Sequence, residues 1–149
     1  MAPRVTRVSA GVVVVRETPR GWRFLLLRAF NHWDFPKGMV ESGEEPLAAA
    51  IREVHEETLL EDLEFSWGGS YVETGPYSRG KMARYYLAQS HTEAVVLPVS
   101  AELGHPEHNE FRWVTAAGAL KLVSLRVRPV VDWAAARLPR DGTRADDGP

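Results

Sequence analysis

Between residues 38 and 57 the chain gathers Gly38, Glu44, Arg52, Glu53, Glu56 and Glu57. Pro46 suits a first helical position, and Leu47 to Leu60 contains neither Gly nor Pro, so one helix of about three to four turns is expected there. At about 100° per residue, Leu47, Ile51, Val54 and Thr58 share one stripe, while Glu53, Glu56 and Glu57 gather on the other side. Like charges three and four residues apart repel by about 0.2–0.5 kcal/mol each, and no lysine or arginine follows four residues later to relieve them. A divalent cation would relieve them well, because magnesium prefers hard oxygen ligands and bridges to phosphate oxygens. For a bare Glu-rich helix the rival reading is an ordinary solvated face.

The glutamates are not alone, however. The run reads Gly38, five residues, Glu44, seven residues, then Arg52-Glu53-Val54-His55-Glu56-Glu57. It resembles the Nudix box, Gly-x5-Glu-x7-Arg-Glu-U-x-Glu-Glu-x-Gly-U, with U a bulky aliphatic residue. Leu59 stands where that pattern has Gly, and Leu60 fills the final U. The family Gly leaves the helix in a left-handed conformation, so a leucine there is expected to cost about 1 kcal/mol or more. The ligands all precede it. Seven specified residue types at fixed spacing outweigh the solvated-face reading.

The resemblance implies that the Gly38 carbonyl and the carboxylates of Glu53, Glu56 and Glu57 hold one to three Mg2+ or Mn2+ ions. It makes Arg52 and Glu44 the orienting groups, and Glu53 or a later loop glutamate the base that takes a proton from attacking water. Outside the box, His32-Trp33-x-x-Pro36-Lys37-Gly38, the run Lys81 to Ala88, and Glu107-His108 with Arg112-Trp113 are similar to segments of the asymmetric diadenosine tetraphosphate hydrolases. On that likeness Glu107 is an extra ligand or the base, and His32, Lys37, Lys81 and Tyr85 bind the substrate. The implied reaction splits a dinucleoside tetraphosphate into a nucleoside triphosphate and a monophosphate. Removal of pyrophosphate from an RNA 5′ end is a second reading, since that branch has a similar Trp-x-x-Pro-Lys-Gly loop. Hydrolysis of diphosphoinositol polyphosphates is a third, though it usually wants a more basic cleft. A nucleotide-binding module without catalysis is a fourth, opposed by the intact Glu53, Glu56 and Glu57 and supported only by Leu59.

Strand alternation would place Lys81, Ala83 and Tyr85 on one face, aiming an ammonium and a stacking ring into one cleft. Each has a plainer reading: Lys81 as an edge-strand solubiliser and Tyr85 as core. His32 is either a phosphate donor or a loop cap. His105-x-x-His108 has no partner His or Cys and encloses Pro106, which argues against zinc. Gly75 to Met82 nearly spells the phosphate-binding loop Gly-x4-Gly-Lys-Ser/Thr, but it lacks the final hydroxyl and leads into β-rich sequence rather than a helix.

The elements that must position these residues follow from the apolar pattern. Val8 to Val15 and Trp22 to Leu27 read as a hairpin, and residues 31 to 38 as a structured loop. Leu63 to Glu73 and Met82 to Gln89 read as strands around a polar loop at Gly75 to Gly80, and Phe111 to Val114 as a further strand. Helices are expected at Ala116 to Val123 and Val127 to Leu138. By resemblance the fold is α/β, the Nudix α/β/α sandwich with a central mixed sheet. A length of 149 residues fits one domain, taken as residues 1–138, with a charged, frayed tail at 139–149. With 18 basic against 20 acidic residues there is no chain-wide positive field for duplex nucleic acid. The absence of cysteine removes thiolate sites, and no apolar run is long enough to cross a bilayer. A small nucleotide polyphosphate is the expected partner and the cytoplasm the expected location, while the oligomeric state is left open.

Overall fold

The computed structural model describes residues 7–139. Its spine is β1 (Arg7–Thr18), which turns at Gly21 into β2 (Gly21–Ala29). The stretch expected as a loop contains two short strands, β3 (His32–Asp34) and β4 (Lys37–Met39), followed by α1 (Pro46–Thr58). Then come β5 (Tyr71–Tyr77), β6 (Lys81–Gln89), β7 (Glu110–Val114), α2 (Ala116–Leu122) and α3 (Arg128–Ala135). The sheet runs β3-β2-β1-β6-β5, with β4 paired to β1 and β7 to β2. It is mixed: β1 lies parallel to β6 and antiparallel to β2 and β4.

Both faces of the sheet are covered, which explains the continuous apolar runs from Ala10 to Val15 in β1 and from Tyr85 to Ala88 in β6. Ala10, Val12 and Val14 of β1, with Tyr86 and Ala88 of β6, pack under α1 through Ala49, Ala50 and Val54. Val13 and Val15, with Ala83, Tyr85 and Leu87, face Ala119, Val130, Val131 and Ala134 of the two late helices. The result is the expected α/β/α sandwich.

One expected strand is displaced. Leu63 to Glu73 is not continuous: only Glu64 bridges Gln89 through paired bonds of 2.8 Å, and the chain then turns at Gly68 (φ 79°) before β5 starts at Tyr71. The Gly68-Gly69 pair ends pairing where β-rich neighbours suggested it. In compensation β5 runs on to Tyr77, through the first half of the expected polar loop, with a register shift between Thr74 and Tyr77. The turn that remains feeds β6, a strand, so the segment lacks the helix a phosphate-binding loop requires. The expected tail beyond residue 139 lies outside the described residues.

Asp62 ties the chain after α1 to the end of β6. Its carboxylate accepts from Ser90 Oγ (2.7 Å), the His91 N–H (2.9 Å) and Thr92 Oγ1 (2.9 Å). Burial alone would raise its pKa, but these bonds outweigh that and hold it below the usual carboxylate value. Asp62→Ala is expected to cost about 2 kcal/mol in a urea melt at neutral pH. Because the folded pKa is the lower one, that contribution is present above roughly pH 4 and fades as pH falls, so the penalty should shrink in acid.

Candidate active site

Two glycines let the box close on the sheet. A Cβ at Gly11 would overlap the Pro36 carbonyl and the Lys37 side chain, so glycine is what allows β4 to cross closely over β1. A Cβ at Gly38 would overlap the Glu53 carboxylate, which packs directly on the Gly38 backbone. The loop and helix of the box therefore meet through Gly38 and Glu53.

Arg52 organises the rest. Its guanidinium donates to Glu44 twice (2.8 and 3.0 Å), to Glu53 (2.9 Å), to the Met39 carbonyl (3.0 Å) and to Glu56. The Glu44 bond leads the effects that raise the guanidinium pKa, while the same bond leads those that lower Glu44. The charge relief that the sequence showed no later residue to supply comes from Arg52, which precedes Glu56 by four residues.

The apolar stripe of α1 needs a correction. Its buried residues are Ala49, Ala50, Val54, Glu57 and Thr58, whereas Ile51 is 42% exposed. Small alanines let the helix come close to β1, and the buried face rotates toward them, carrying Glu57 inward. The three glutamates thus differ: Glu56 is exposed, Glu53 half-buried and Glu57 buried. Neither carboxylate oxygen of Glu57 has a hydrogen-bond partner. The Lys37 N–H points toward it without reaching hydrogen-bond geometry, and His108 Nδ1 stands 3.9 Å away. Burial first, then Glu107, then Glu53 push the Glu57 carboxyl up to about 10. Burial also raises Glu53.

Among the described residues no three His, Asp or Glu groups are already gathered into a cation cluster, since Arg52 draws Glu53 and Glu56 onto itself. The donor set nevertheless fits a hard divalent cation. A buried carboxylate with no donor is costly when ionised, and an oxygen-loving cation is the group that offsets it. The surrounding cleft, about 580 Å³, is lined by six glutamates (Glu41, Glu53, Glu56, Glu57, Glu102, Glu107) against one arginine, Arg52. Glu107 and His108 come from the segment before β7, and burial and then Lys37 lower the His108 pKa.

The helix exit keeps its usual geometry despite Leu59. That residue is left-handed (φ 61°, ψ 12°), its N–H bonds the His55 carbonyl at 2.9 Å, and its side chain is 45% exposed. The conformation is retained and leucine bears the strain. Leu59→Gly is therefore expected to stabilise the fold by about 1 kcal/mol in a denaturant melt, the left-handed penalty outweighing glycine's added chain entropy.

A second cleft, also about 580 Å³, takes in Lys37 at the start of β4 and carries the opposite charge. Lys37, Lys81 and Arg126 line it against a single carboxylate, Asp34, together with His32, Trp33 and Tyr77. His32, Lys37 and Lys81 thus come together as the sequence suggested. Tyr85 does not join them: it is 0% exposed, its ring meets Phe35 edge-on at 5.9 Å, and its hydroxyl donates to Asp34 at 3.0 Å. Burial, then the Asp34 charge, raises its pKa well above the usual value. The stacking reading of Tyr85 is corrected accordingly, because a ring sealed on both faces cannot receive a base, and the Tyr and Trp rings lining this cleft are Tyr77 and Trp33.

Sequence reasoning missed Asp34 and Arg126. Asp34 accepts from its neighbour's Phe35 N–H (2.7 Å) and from Tyr85, and pairs with Lys37 (3.7 Å) and Arg126 (3.2 Å). An Asp two residues before Pro36 is a signal for a side-chain-braced turn. Arg126 carried no local signal, since its partners lie far away in sequence.

A mixed sheet between two helical layers, with an acidic cleft built by one helix and a loop, defines the architecture of this class of hydrolases. The family model for the NUDIX domain matches residues 5–134, and the chain belongs to the Nudix family as a pyrophosphohydrolase, a family whose hydrolases generally use divalent metal ions. It is 32% identical over 120 residues to an asymmetrical bis(5′-nucleosyl)-tetraphosphatase of Caenorhabditis elegans, covering 76% of this chain and 83% of that one. It is 32% identical over 106 residues to an RNA pyrophosphohydrolase of Roseobacter denitrificans, covering 57% and 61% respectively. Among solved structures, a C. elegans Ap4A hydrolase binary complex superposes with a TM-score of 0.76 at 28% identity, over 88% of this chain and 96% of that one.

Proposed function

We propose that this chain hydrolyses dinucleoside polyphosphates, with diadenosine tetraphosphate going to ATP and AMP. The observation that carries the reading is the pair of oppositely charged clefts, one lined by Glu53, Glu56 and Glu57 and suited to cations, the other by Lys37, Lys81 and Arg126 and suited to a polyanion. The names of the C. elegans relatives support the same substrate class. Gly38, Glu53, Glu56 and Glu57 would hold Mg2+ or Mn2+, with one to three ions accommodated. When bound, the cations would polarise the phosphoanhydride and acidify water for in-line attack on phosphorus. The chain's own residues do the remaining work. Arg52 and Glu44 fix the carboxylates, and Glu53 or Glu107 accepts the proton from the attacking water. Lys37 and Lys81 neutralise the polyphosphate, His32 adds a hydrogen-bond donor, and Tyr77 in place of Tyr85 offers a ring to a base. The same reading takes residues 1–138 as one catalytic unit acting in the cytoplasm.

The RNA pyrophosphohydrolase relatives support a second reading, removal of pyrophosphate from a 5′-triphosphate RNA end. The test is to incubate the pure protein with Mg2+ and a panel of mono- and dinucleoside polyphosphates and 5′-triphosphate RNA, then identify the products. ATP plus AMP from the tetraphosphate, faster than any other turnover, is expected. Preferential release of pyrophosphate from RNA would replace the first reading with the second.

A further inference from the structure

Arg126 lies between α2 and α3, outside every motif described above, yet its guanidinium is fixed in the basic cleft. Nη1 donates to Thr74 Oγ1 (2.7 Å) and the Tyr85 hydroxyl (3.2 Å), and Nη2 donates to Asp34 (3.2 Å). The Tyr77 ring lies against the group, 4.0 Å from centroid to Cζ. Burial alone would lower its pKa, but Tyr85 and Asp34 beside it outweigh that and raise it, so the group stays charged. A guanidinium carries five N–H donors, and these three bonds leave Nε–H and one Nη2–H for a further acceptor. Asp34 cannot neutralise the site, because its one charge is shared between Arg126 and Lys37, with Lys81 beyond.

We infer that Arg126 is a preorganised anion receptor, which grips the phosphate chain of a nucleoside polyphosphate at the end away from the acidic cleft. The inference deepens the polyphosphate reading and rests on it. Four residues from three strands are built around this one side chain: Asp34 from β3, Thr74 and Tyr77 from β5, and Tyr85 from β6. Such bracing removes the rotamer freedom that a long cation normally loses on binding, so each phosphate bond is formed at lower entropic cost. A purely structural arginine would be expected to turn its remaining donors to carbonyls of the fold. This one instead lines a cleft where two lysines, Lys37 and Lys81, outnumber the one carboxylate, Asp34.

The test is calorimetric titration with ATP in magnesium-free buffer, which reads the basic cleft without turnover, with adenosine as the uncharged probe. Arg126→Gln is expected to weaken ATP binding by about tenfold or more, and Arg126→Lys by about three- to fivefold because charge is kept and the fork is lost. Adenosine affinity should change less than about twofold, since it carries no phosphate. If Arg126→Gln does not fold, as judged by its thermal melt, Arg126→Lys decides. Equal ATP affinity in the folded variant, equal losses for ATP and adenosine, or no ATP binding by the wild type would each overturn the inference. Failure of the proposed function is separable. In that case ATP binding still depends on Arg126, while the wild-type protein with Mg2+ cleaves no dinucleoside polyphosphate.

Discussion

Glu57→Gln is expected to abolish metal-dependent turnover, by on the order of 10³-fold in kcat, while making the protein more stable when cations are removed. The two effects have one cause. Glu57 is buried with both oxygens unpartnered, and Glu107 and Glu53 add like charge to a site that already disfavours ionisation. Its folded carboxyl lies at about 10 against an ordinary value of 4.5. A carboxyl raised in the folded state contributes stability that is fully present below the unfolded value and is lost as pH rises toward the folded one. Wild-type protein in a chelator should therefore melt at progressively lower temperature between about pH 4.5 and about pH 10. Glutamine has no charge to bury, so the variant should be nearly flat across that window and melt at least about 5 °C above wild type at pH 8. Thermal scans of both proteins in chelator, at three pH values, check the result. A variant that melts lower than wild type at pH 8 would mean that Glu57 is an ordinary structural carboxylate.

Arg52→Gln is expected to have the next largest effect, a loss of about 10- to 100-fold in metal affinity with a matching fall in activity. The guanidinium holds Glu44, Glu53, Glu56 and the Met39 carbonyl at once, so its removal frees both the loop and two carboxylates. Glutamine can replace at most one or two of these bonds and none of the charge. The split between parameters is informative. Activity should recover in part at high Mg2+ concentration, because Arg52 positions ligands and is not itself one. A loss of kcat that no amount of Mg2+ restores would instead place Arg52 among the groups that touch substrate.

The box was legible because its chemistry is local: the residues lie within about twenty positions, and a helix plus one turn brings them together. Burial within the helix was less legible. A count at about 100° per residue gave weight to Leu47 and Ile51 and none to Ala49 and Ala50, yet close approach to β1 favours the small residues. That rotation is what buries Glu57 and exposes Ile51. Tyr85 was misread for a related reason. In a strand covered on both faces the apolar pattern runs from Met82 to Ala88 with Arg84 as its one break, and period-two reasoning says which residues share a face without saying what covers it. Here α3 and its neighbours do. Asp34 and Arg126 meet across 92 residues of sequence, and no local pattern encodes such a pair. The strand expected at Leu63 to Glu73 failed because Gly68 and Gly69 were not given the weight that breaks in pairing deserve.

The most direct measurement of the central claim is a Mn2+ titration, followed by the loss of free-ion paramagnetic signal, on wild type and Glu57→Gln at pH 8. The wild-type chain is expected to bind the cation, with affinity falling as pH is lowered, and the variant to bind at least about tenfold more weakly. Equal binding by the two proteins would contradict the assignment of the buried carboxylate as a metal ligand, and with it the metal-dependent chemistry built on the acidic cleft.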